Sequence, residues 1–224
     1  MPTDNGPTPM ERFIQGILPE NPVYRQLLGM CPVLAVTSTV KNAVTMAAAV
    51  MFVLVCANII VSLIRNILQP HLRILVFTLT IATFVTIADR VLAAYMYDMS
   101  KTLGPYIPLI IVNCLIICRC EVCASKQGVV TATFDAVGQS LGFLLALVSM
   151  ATVRELLAYG SWFDIQLFWK VLTEAEIAQG IKSTEHYRWG LMGLPPGAFF
   201  TLGVLLGVAN WITSLGKKKG QASA

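Results

Sequence analysis

The sequence has 224 residues, of which 56% are hydrophobic and only 12% are charged, and its mean hydropathy is +0.70. A soluble domain carries about 25% charged residues, so this composition excludes a soluble globular protein and predicts an integral membrane protein. The net charge of +4 is then expected to reflect membrane topology, and no nucleic-acid partner is predicted.

The first 22 residues are mostly polar but contain a helical pattern of apolar side chains. These apolar residues are Met10, Phe13, Ile14, Ile17 and Leu18. A short helix with one apolar face is typical of segments that lie in the plane of a membrane surface. The sequence therefore predicts that residues 1–22 form a cytoplasmic N-terminal segment whose short helix lies flat on the membrane.

Long stretches without Asp, Glu, Lys or Arg follow this segment. Because a straight spanning helix needs about 20 residues, they predict an all-α integral membrane protein with a six-helix transmembrane domain over residues 23–216. The predicted crossings are 24–41, 43–65, 72–97, 103–119, 132–156 and 191–215.

The order of the segments is the same in residues 23–100 and 101–216. Each part begins with a short, interrupted segment and continues with two long ones. The first short segment contains Cys31 and Pro32, and the fourth, "LGPYIPLIIVNCLII", contains two prolines and Cys114. Three crossings per part is an odd number, so the pattern predicts two inverted three-helix repeats with broken first helices. Such segments, at corresponding positions of inverted repeats, indicate a site near the membrane midplane.

Lys and Arg are more frequent at the helix ends that share a face with the two termini. This bias predicts that both termini lie in the cytoplasm. Residues 217–224 are then a basic cytoplasmic tail, and residues 157–190 form a connection at the outer face. The expected location is the bacterial inner (cytoplasmic) membrane.

Cys31 and Pro32 interrupt the first apolar segment in a way that suits a reactive thiol. The residue before a proline is disfavoured in helical conformation, whereas proline itself fits the first turn of a helix. A half-helix beginning at Pro32 would direct its free N–H groups and positive dipole end towards the sulfur of Cys31. This environment favours the thiolate, and Gly29 allows close backbone approach.

The inverted repeat predicts that Cys114 approaches Cys31 from the opposite side of the membrane. Two thiolates are half of a four-sulfur site for an iron–sulfur cluster or zinc. The other two ligands would come from a partner chain or from other cysteines of this chain. The alternative is that both cysteines are small apolar side chains that fill space.

Three further cysteines, Cys118, Cys120 and Cys123, follow Cys114 with the spacing C-x3-C-x-C-x2-C. This spacing matches neither the bacterial ferredoxin run nor a paired C-x2-C zinc site, so the three are only candidate extra ligands. The chain contains no dinucleotide-binding, phosphate-binding, zinc-protease or nucleophile motif. It is therefore predicted to have no catalytic residues and no complete active site of its own, and no flavin.

Three stretches carry a resemblance to a known family. They are "NPVYRQLLGMCPVLAVTS" (21–38), "IPLIIVNCLIICRCEVCASK" (107–126) and "LPPGAFFTLGVLLG" (194–207). The chain resembles the family of the E subunit of Rnf-type ion-translocating electron transport complexes. It is also similar to the D subunit of the sodium-pumping NADH:quinone oxidoreductase, which remains an alternative, and a small secondary transporter is a more distant one.

The resemblance implies a role in an oxidoreductase complex that is a translocase. A homologous sister subunit of opposite topology, similar to the A subunit of Rnf complexes, would share a [2Fe–2S] cluster with this chain, and Cys31 and Cys114 would supply two of its four ligands. Gly29, Pro32 and Asn113 would support these ligands. Electrons would pass between the ferredoxin or NADH side and flavins on other subunits, coupled to Na+ or H+ movement. Further expected partners are the B, C, D and G subunits of the Rnf complex and the lipid bilayer.

Overall fold

The computed structural model describes residues 9–17, 20–66, 70–158, 161–162, 165–166 and 194–221. The helices of these residues are α1 (Pro9–Ile17), α2 (Met30–Val36), α3 (Val40–Ile64), α4 (Arg73–Tyr95), α5 (Tyr97–Leu103), α6 (Cys114–Arg119), α7 (Val129–Ala158) and α8 (Pro195–Gln221). Two 3-10 segments, Pro70–Leu72 and Gly104–Ile110, and a π-helical turn, Cys120–Ala124, lie between them. Two short antiparallel strands, β1 (Ser161–Trp162) and β2 (Ile165–Gln166), complete the described part.

Four helical stretches of the described chain are long and apolar enough to cross a membrane. They are α3, α4, the stretch Tyr97–Ala124 and α7. The predicted helical membrane protein is confirmed at this level. The six crossings and the inverted repeat stay predictions, although α8 covers most of the predicted sixth crossing and continues through residues 217–221 of the predicted tail. Most of the predicted outer connection, 157–190, lies outside the described residues.

The predicted first crossing, residues 24–41, is not one spanning helix. Its main helical piece is α2, whose seven residues extend only about 10 Å, against about 30 Å of bilayer core. Leu27 and Gly29 adopt positive φ angles of 56° and 72°, and residues 37–39 separate α2 from α3. The prediction that this helix begins at Pro32 is wrong by two residues. Pro32 lies within the first turn, where its missing N–H has no helical partner to lose.

α7 is the central helix of the described fold, and α1, α2, α3 and α8 all contact it. Phe143 and Leu147 of α7 are fully buried, as are Met46 and Leu54 of α3. The α3–α7 contact is the most extensive between any two described elements. Of the two short helices that carry Cys31 and Cys114, α2 contacts α3 and α7, and α6 contacts α3 and α4.

α1 crosses α7 at an unusually close distance, and glycines make this possible. A Cβ atom on Gly16 would lie 2.8 Å from the backbone carbon of Gly138, and one on Gly138 would lie 2.6 Å from the carbonyl oxygen of Phe13. Gly142 also faces the carbonyl of Gly16. The short helix predicted near residues 10–18 is present as α1, and its predicted position on the membrane surface stays a prediction. Its packing into a glycine surface of α7 was not predicted.

The replacement Gly138→Ala is expected to loosen this crossing. The added methyl would overlap the backbone of α1, and overpacking of this kind costs about 1–3 kcal/mol. We expect a lower melting temperature for the purified protein in detergent. Gly203→Ala in α8 is the matched control, because nothing in the described chain lies within 4 Å of a Cβ at that position. Equal melting temperatures for the two variants would contradict the close packing.

Candidate metal centre

The chain between α1 and α2 is fastened to α7 by polar contacts. The Asn21 side chain donates through Nδ2 to the Gly142 carbonyl oxygen at 2.9 Å and accepts from the Val23 amide at 3.1 Å. The Tyr24 hydroxyl contacts the hydroxyl of Ser149 further along α7. These contacts determine the direction in which the chain enters the turn before α2.

Gly29 forms that turn, and its position demands glycine. Its φ of 72° lies in the left-handed region, which residues other than glycine rarely adopt. A Cβ atom there would also lie 2.9 Å from Cε2 of Phe143. Cys31 follows as the second residue of α2, with its side chain exposed, whereas Pro32 is buried.

A second break places Cys114 in a similar position. Residues 111–113 interrupt the helical stretch, and Asn113 adopts an extended conformation with φ −65° and ψ 116°. Its side-chain oxygen accepts from the Leu115 amide at 3.0 Å and so caps α6. Cys114 is the first residue of α6, and it is exposed.

The two breaks meet although 85 residues separate them. The Gly29 amide donates a hydrogen bond to Sγ of Cys114 at 2.9 Å. A Cβ on Gly29 would lie 3.4 Å from Oδ1 of Asn113. Because consecutive Cα atoms are about 3.8 Å apart, the Cα of Cys31 lies within about 7.6 Å of that of Gly29. The structure thus brings Gly29 and Asn113 together and places both cysteines beside them.

This arrangement suits a soft metal centre that is completed from outside. Thiolates are soft ligands, and N–H donors near a ligating sulfur tune its basicity and the metal potential. Among the residues that the structure describes, no three His, Cys, Asp or Glu side chains lie close enough to hold a metal ion. Both thiols are exposed, so a second chain can reach them.

Two of the three other cysteines near Cys114, Cys120 and Cys123, are buried. Cys120 is fully buried and donates to Oδ1 of Asn58 at 3.4 Å. Cys123, 1% exposed, contacts Oε1 of Gln127 at 3.5 Å, and Cys118 is half-buried. Cys120 and Cys123 lie in the π-helical turn that follows α6. Their candidate role as extra ligands stays a prediction.

A buried ion pair that the sequence interpretation missed lies near these cysteines. Arg119 and Asp135 are 4% and 1% exposed, and their side chains are 3.6 Å apart. Arg12 of α1 lies within electrostatic reach of Asp135. Charged residues that border apolar runs were the available signal, because a charge buried in a membrane protein demands a partner. The positions of these charges in the sequence do not show which of them pair. The pairing depends on where α6 places Arg119 relative to Asp135 of α7.

The sequence matches a known family of membrane proteins. The family model described as "Rnf-Nqr subunit, membrane protein" matches residues 9–206. This range covers far more than half of the chain and includes both cysteines of the site. The chain belongs to the Rnf-Nqr family.

Curated Rnf-Nqr proteins are similar over nearly the whole chain. The E subunit of the Na(+)-translocating ferredoxin:NAD(+) oxidoreductase complex of Acetobacterium woodii is 41% identical over 204 residues, which cover 91% of this chain and 97% of that protein. The E subunit of the ion-translocating oxidoreductase complex of Methanosarcina acetivorans is 41% identical over 203 residues, covering 91% of each chain. That of Pasteurella multocida is 38% identical over 206 residues, covering 92% of this chain and 91% of its own. The predicted family resemblance is confirmed.

Proposed function

We propose that this Rnf-Nqr protein is the E subunit of an ion-translocating oxidoreductase complex and carries electrons across the membrane. The relatives described above bear this name, and one of them belongs by name to a Na(+)-translocating ferredoxin:NAD(+) oxidoreductase complex. The observation that carries the redox part is the hydrogen bond from the Gly29 amide to Sγ of Cys114. It joins two helix breaks, each of which presents an exposed cysteine.

Cys31 and Cys114 would hold half of a [2Fe–2S] cluster, and a sister chain would supply the other two sulfurs. The donor chemistry fits, because thiolates are the usual ligands of such clusters. When bound, the group would take up and release one electron at a time. Asn113 supports the site as the cap of α6, and its Nδ2 atom is buried without a hydrogen-bond partner in the described chain.

The finer architecture follows from the same two breaks. Two inverted three-helix repeats, 23–100 and 101–216, would bring α2 and α6 towards the midplane from opposite sides. The bilayer core is about 30 Å thick, so a redox centre near its middle divides the distance that an electron must cross. Both termini would lie in the cytoplasm. The B, C, D and G subunits of the Rnf complex would carry the flanking redox steps and couple them to Na+ or H+ movement.

Two alternatives are less well supported. The D subunit of a sodium-pumping NADH:quinone oxidoreductase belongs to the same family, but each relative described above is named as an E subunit. A secondary transporter would use the broken helices for a solute and the cysteines for packing. Cys31 and Cys114 are both exposed, and an exposed thiol fills no space in the core of this chain.

The decisive experiment measures the cofactor directly. In the purified complex we expect iron, acid-labile sulfide and an electron paramagnetic resonance (EPR) signal of a reduced [2Fe–2S] cluster. Cys114→Ser is expected to remove this signal, because serine replaces a soft thiolate ligand by a hydroxyl. Cys56→Ser, a half-buried position within α3, is the matched control and is expected to keep it. A cluster signal that persists unchanged in Cys114→Ser would refute the proposed ligand pair.

A further inference from the structure

The break between α2 and α3, residues 37–39, lies against two adjacent charged residues of α7. Arg154 and Glu155 are each 2% exposed. Ionisable side chains within membrane segments are costly unless they are paired or hydrogen-bonded, and they mark functional positions more often than other residues do. Hydrogen bonds join these two residues to the two sides of the same break.

Arg154 holds the end of α2. Its Nη1 donates to Oγ1 of Thr37 at 2.8 Å and to the carbonyl oxygen of Leu34 at 3.4 Å. Thr37 in turn donates to the carbonyl oxygen of Val33 at 2.6 Å. The last carbonyls of a helix have no helical partners and carry partial negative charge. The buried guanidinium donates a hydrogen bond to one of them, and its positive charge is attracted to this end of the helix. Its Nη2 also donates to the carbonyl of Leu194 before α8, at 3.4 Å.

Glu155 holds the start of α3. Its Oε2 accepts from the Val40 amide at 2.7 Å, and Val40 is the first residue of α3. A carboxylate at this end of a helix satisfies a free N–H group and complements the helix dipole. Arg154 therefore binds the negative C-terminal end of α2, and Glu155 binds the positive N-terminal end of α3.

α2 is too short to hold its own position. Isolated helices below about 12 residues are marginal, and α2 has seven. Its N-terminal side rests on Phe143 through Gly29, and its C-terminal end rests on Arg154. Cys31 lies five residues before Val36, about 7.5 Å along the helix axis, so a shift at one end of α2 moves the thiol.

We propose that Arg154 and Glu155 are positioning residues, which clamp the break after α2 and thereby set where Cys31 lies relative to Cys114. This inference rests on the proposed function, since the relative position of the two thiols matters because they share a cluster. Neither residue touches the reacting atoms. Both act through the backbone of the broken segment.

The test compares the geometry of the two thiols in Arg154→Gln and in wild type. In the purified complex, after removal of iron with a chelator, a short bifunctional thiol reagent is applied. The linked peptide that joins Cys31 and Cys114 is then quantified by mass spectrometry. We expect a several-fold lower yield for Arg154→Gln, and an altered EPR line shape in the iron-loaded complex. Arg73→Gln is the matched control, because Arg73 forms a solvent-accessible pair with Glu121, and it is expected to match wild type in both measurements.

Two gentler changes keep the inference testable if Arg154→Gln does not assemble. Thr37→Val removes the hydroxyl that bonds to Arg154 while keeping the shape of the side chain, and it is expected to lower the cross-linking yield less. Glu155→Gln retains an acceptor for the Val40 amide and is expected to stay near wild type, whereas Glu155→Leu is expected to lower the yield. Wild-type yields in Thr37→Val and Glu155→Leu would overturn the clamp.

The cross-linking measurement does not need a cluster, so it separates the two proposals. If wild-type complex cross-links Cys31 to Cys114 but holds no [2Fe–2S] cluster, the proposed function fails while the clamp can still be supported by the variants. If the cluster is present and depends on Cys114, but all clamp variants match wild type, only the positioning role fails.

Discussion

Replacement of Cys31 by serine is expected to abolish electron transfer through the complex together with the ion uptake that depends on it. Cys31 is exposed at the start of α2, so serine disturbs no packing and changes only the donor atom. A hydroxyl oxygen is a harder ligand than a thiolate and matches an iron–sulfur site poorly. The measurement uses proteoliposomes that contain the whole complex, with electron transfer started from the ferredoxin or NADH side and with labelled Na+ and a pH indicator as tracers for the two candidate ions.

A control variant and an assembly check distinguish a loss of activity from a loss of subunits. Cys56→Ser in α3 is expected to retain both electron transfer and ion uptake. The Cys31→Ser complex should still contain all subunits by mass spectrometry, because the loss is chemical and not structural. Full activity in an assembled Cys31→Ser complex would exclude Cys31 from the electron path.

The replacement Gly29→Ala is expected to displace both cysteines although it removes no ligand. A left-handed conformation costs a residue with a Cβ about 1–2 kcal/mol. The new methyl would also lie 2.9 Å from the ring of Phe143, which adds the cost of overpacking. We expect the turn to move and so relieve the strain. This movement would break the hydrogen bond from the residue 29 amide to Sγ of Cys114. We expect a large loss of cluster content, measured as iron and acid-labile sulfide per complex, and a shifted EPR signal in what remains.

Two further variants separate the sources of this strain. Gly104→Ala is the control, because a Cβ there has no neighbour within 4 Å in the described chain and Gly104 has negative φ. Gly29→Ala combined with Phe143→Leu is expected to recover part of the cluster, since the steric overlap is relieved but the positive φ remains. Wild-type cluster content in Gly29→Ala alone would mean that the turn does not position the site.

The sequence was informative where local chemistry sets the structure. The apolar runs within α3, α4 and α7 predict these spans, because a spanning helix needs about 20 predominantly apolar residues. The same helices also contain charged residues, such as Asp89 in α4 and Arg154 in α7. Cys31 and Pro32 predict a break in this segment, but the break lies before Met30, and both residues are inside α2. Proline marks a discontinuity without determining which neighbour begins the helix.

The contacts with α7 were not predictable in the same way. Gly138 and Gly142 read as ordinary small residues in an apolar helix, and only the crossing of α1 shows why a side chain is excluded there. Arg154 lies near the end of an apolar run in the sequence, and its contact with Thr37 joins residues 117 positions apart. Neither periodicity nor spacing carries information about such long-range pairs.

The sequence by itself determined that this is a helical membrane protein with cysteines in two interrupted segments, since these properties follow from composition and from the positions of proline. Its resemblance to known relatives assigned the family. The tertiary structure decided that the first segment is a seven-residue helix held along α7 and that Gly29 donates to the sulfur of Cys114. The physical reason is the size of the separation. A hydrogen bond between positions 85 residues apart depends on how the whole chain packs, and local sequence does not determine its geometry.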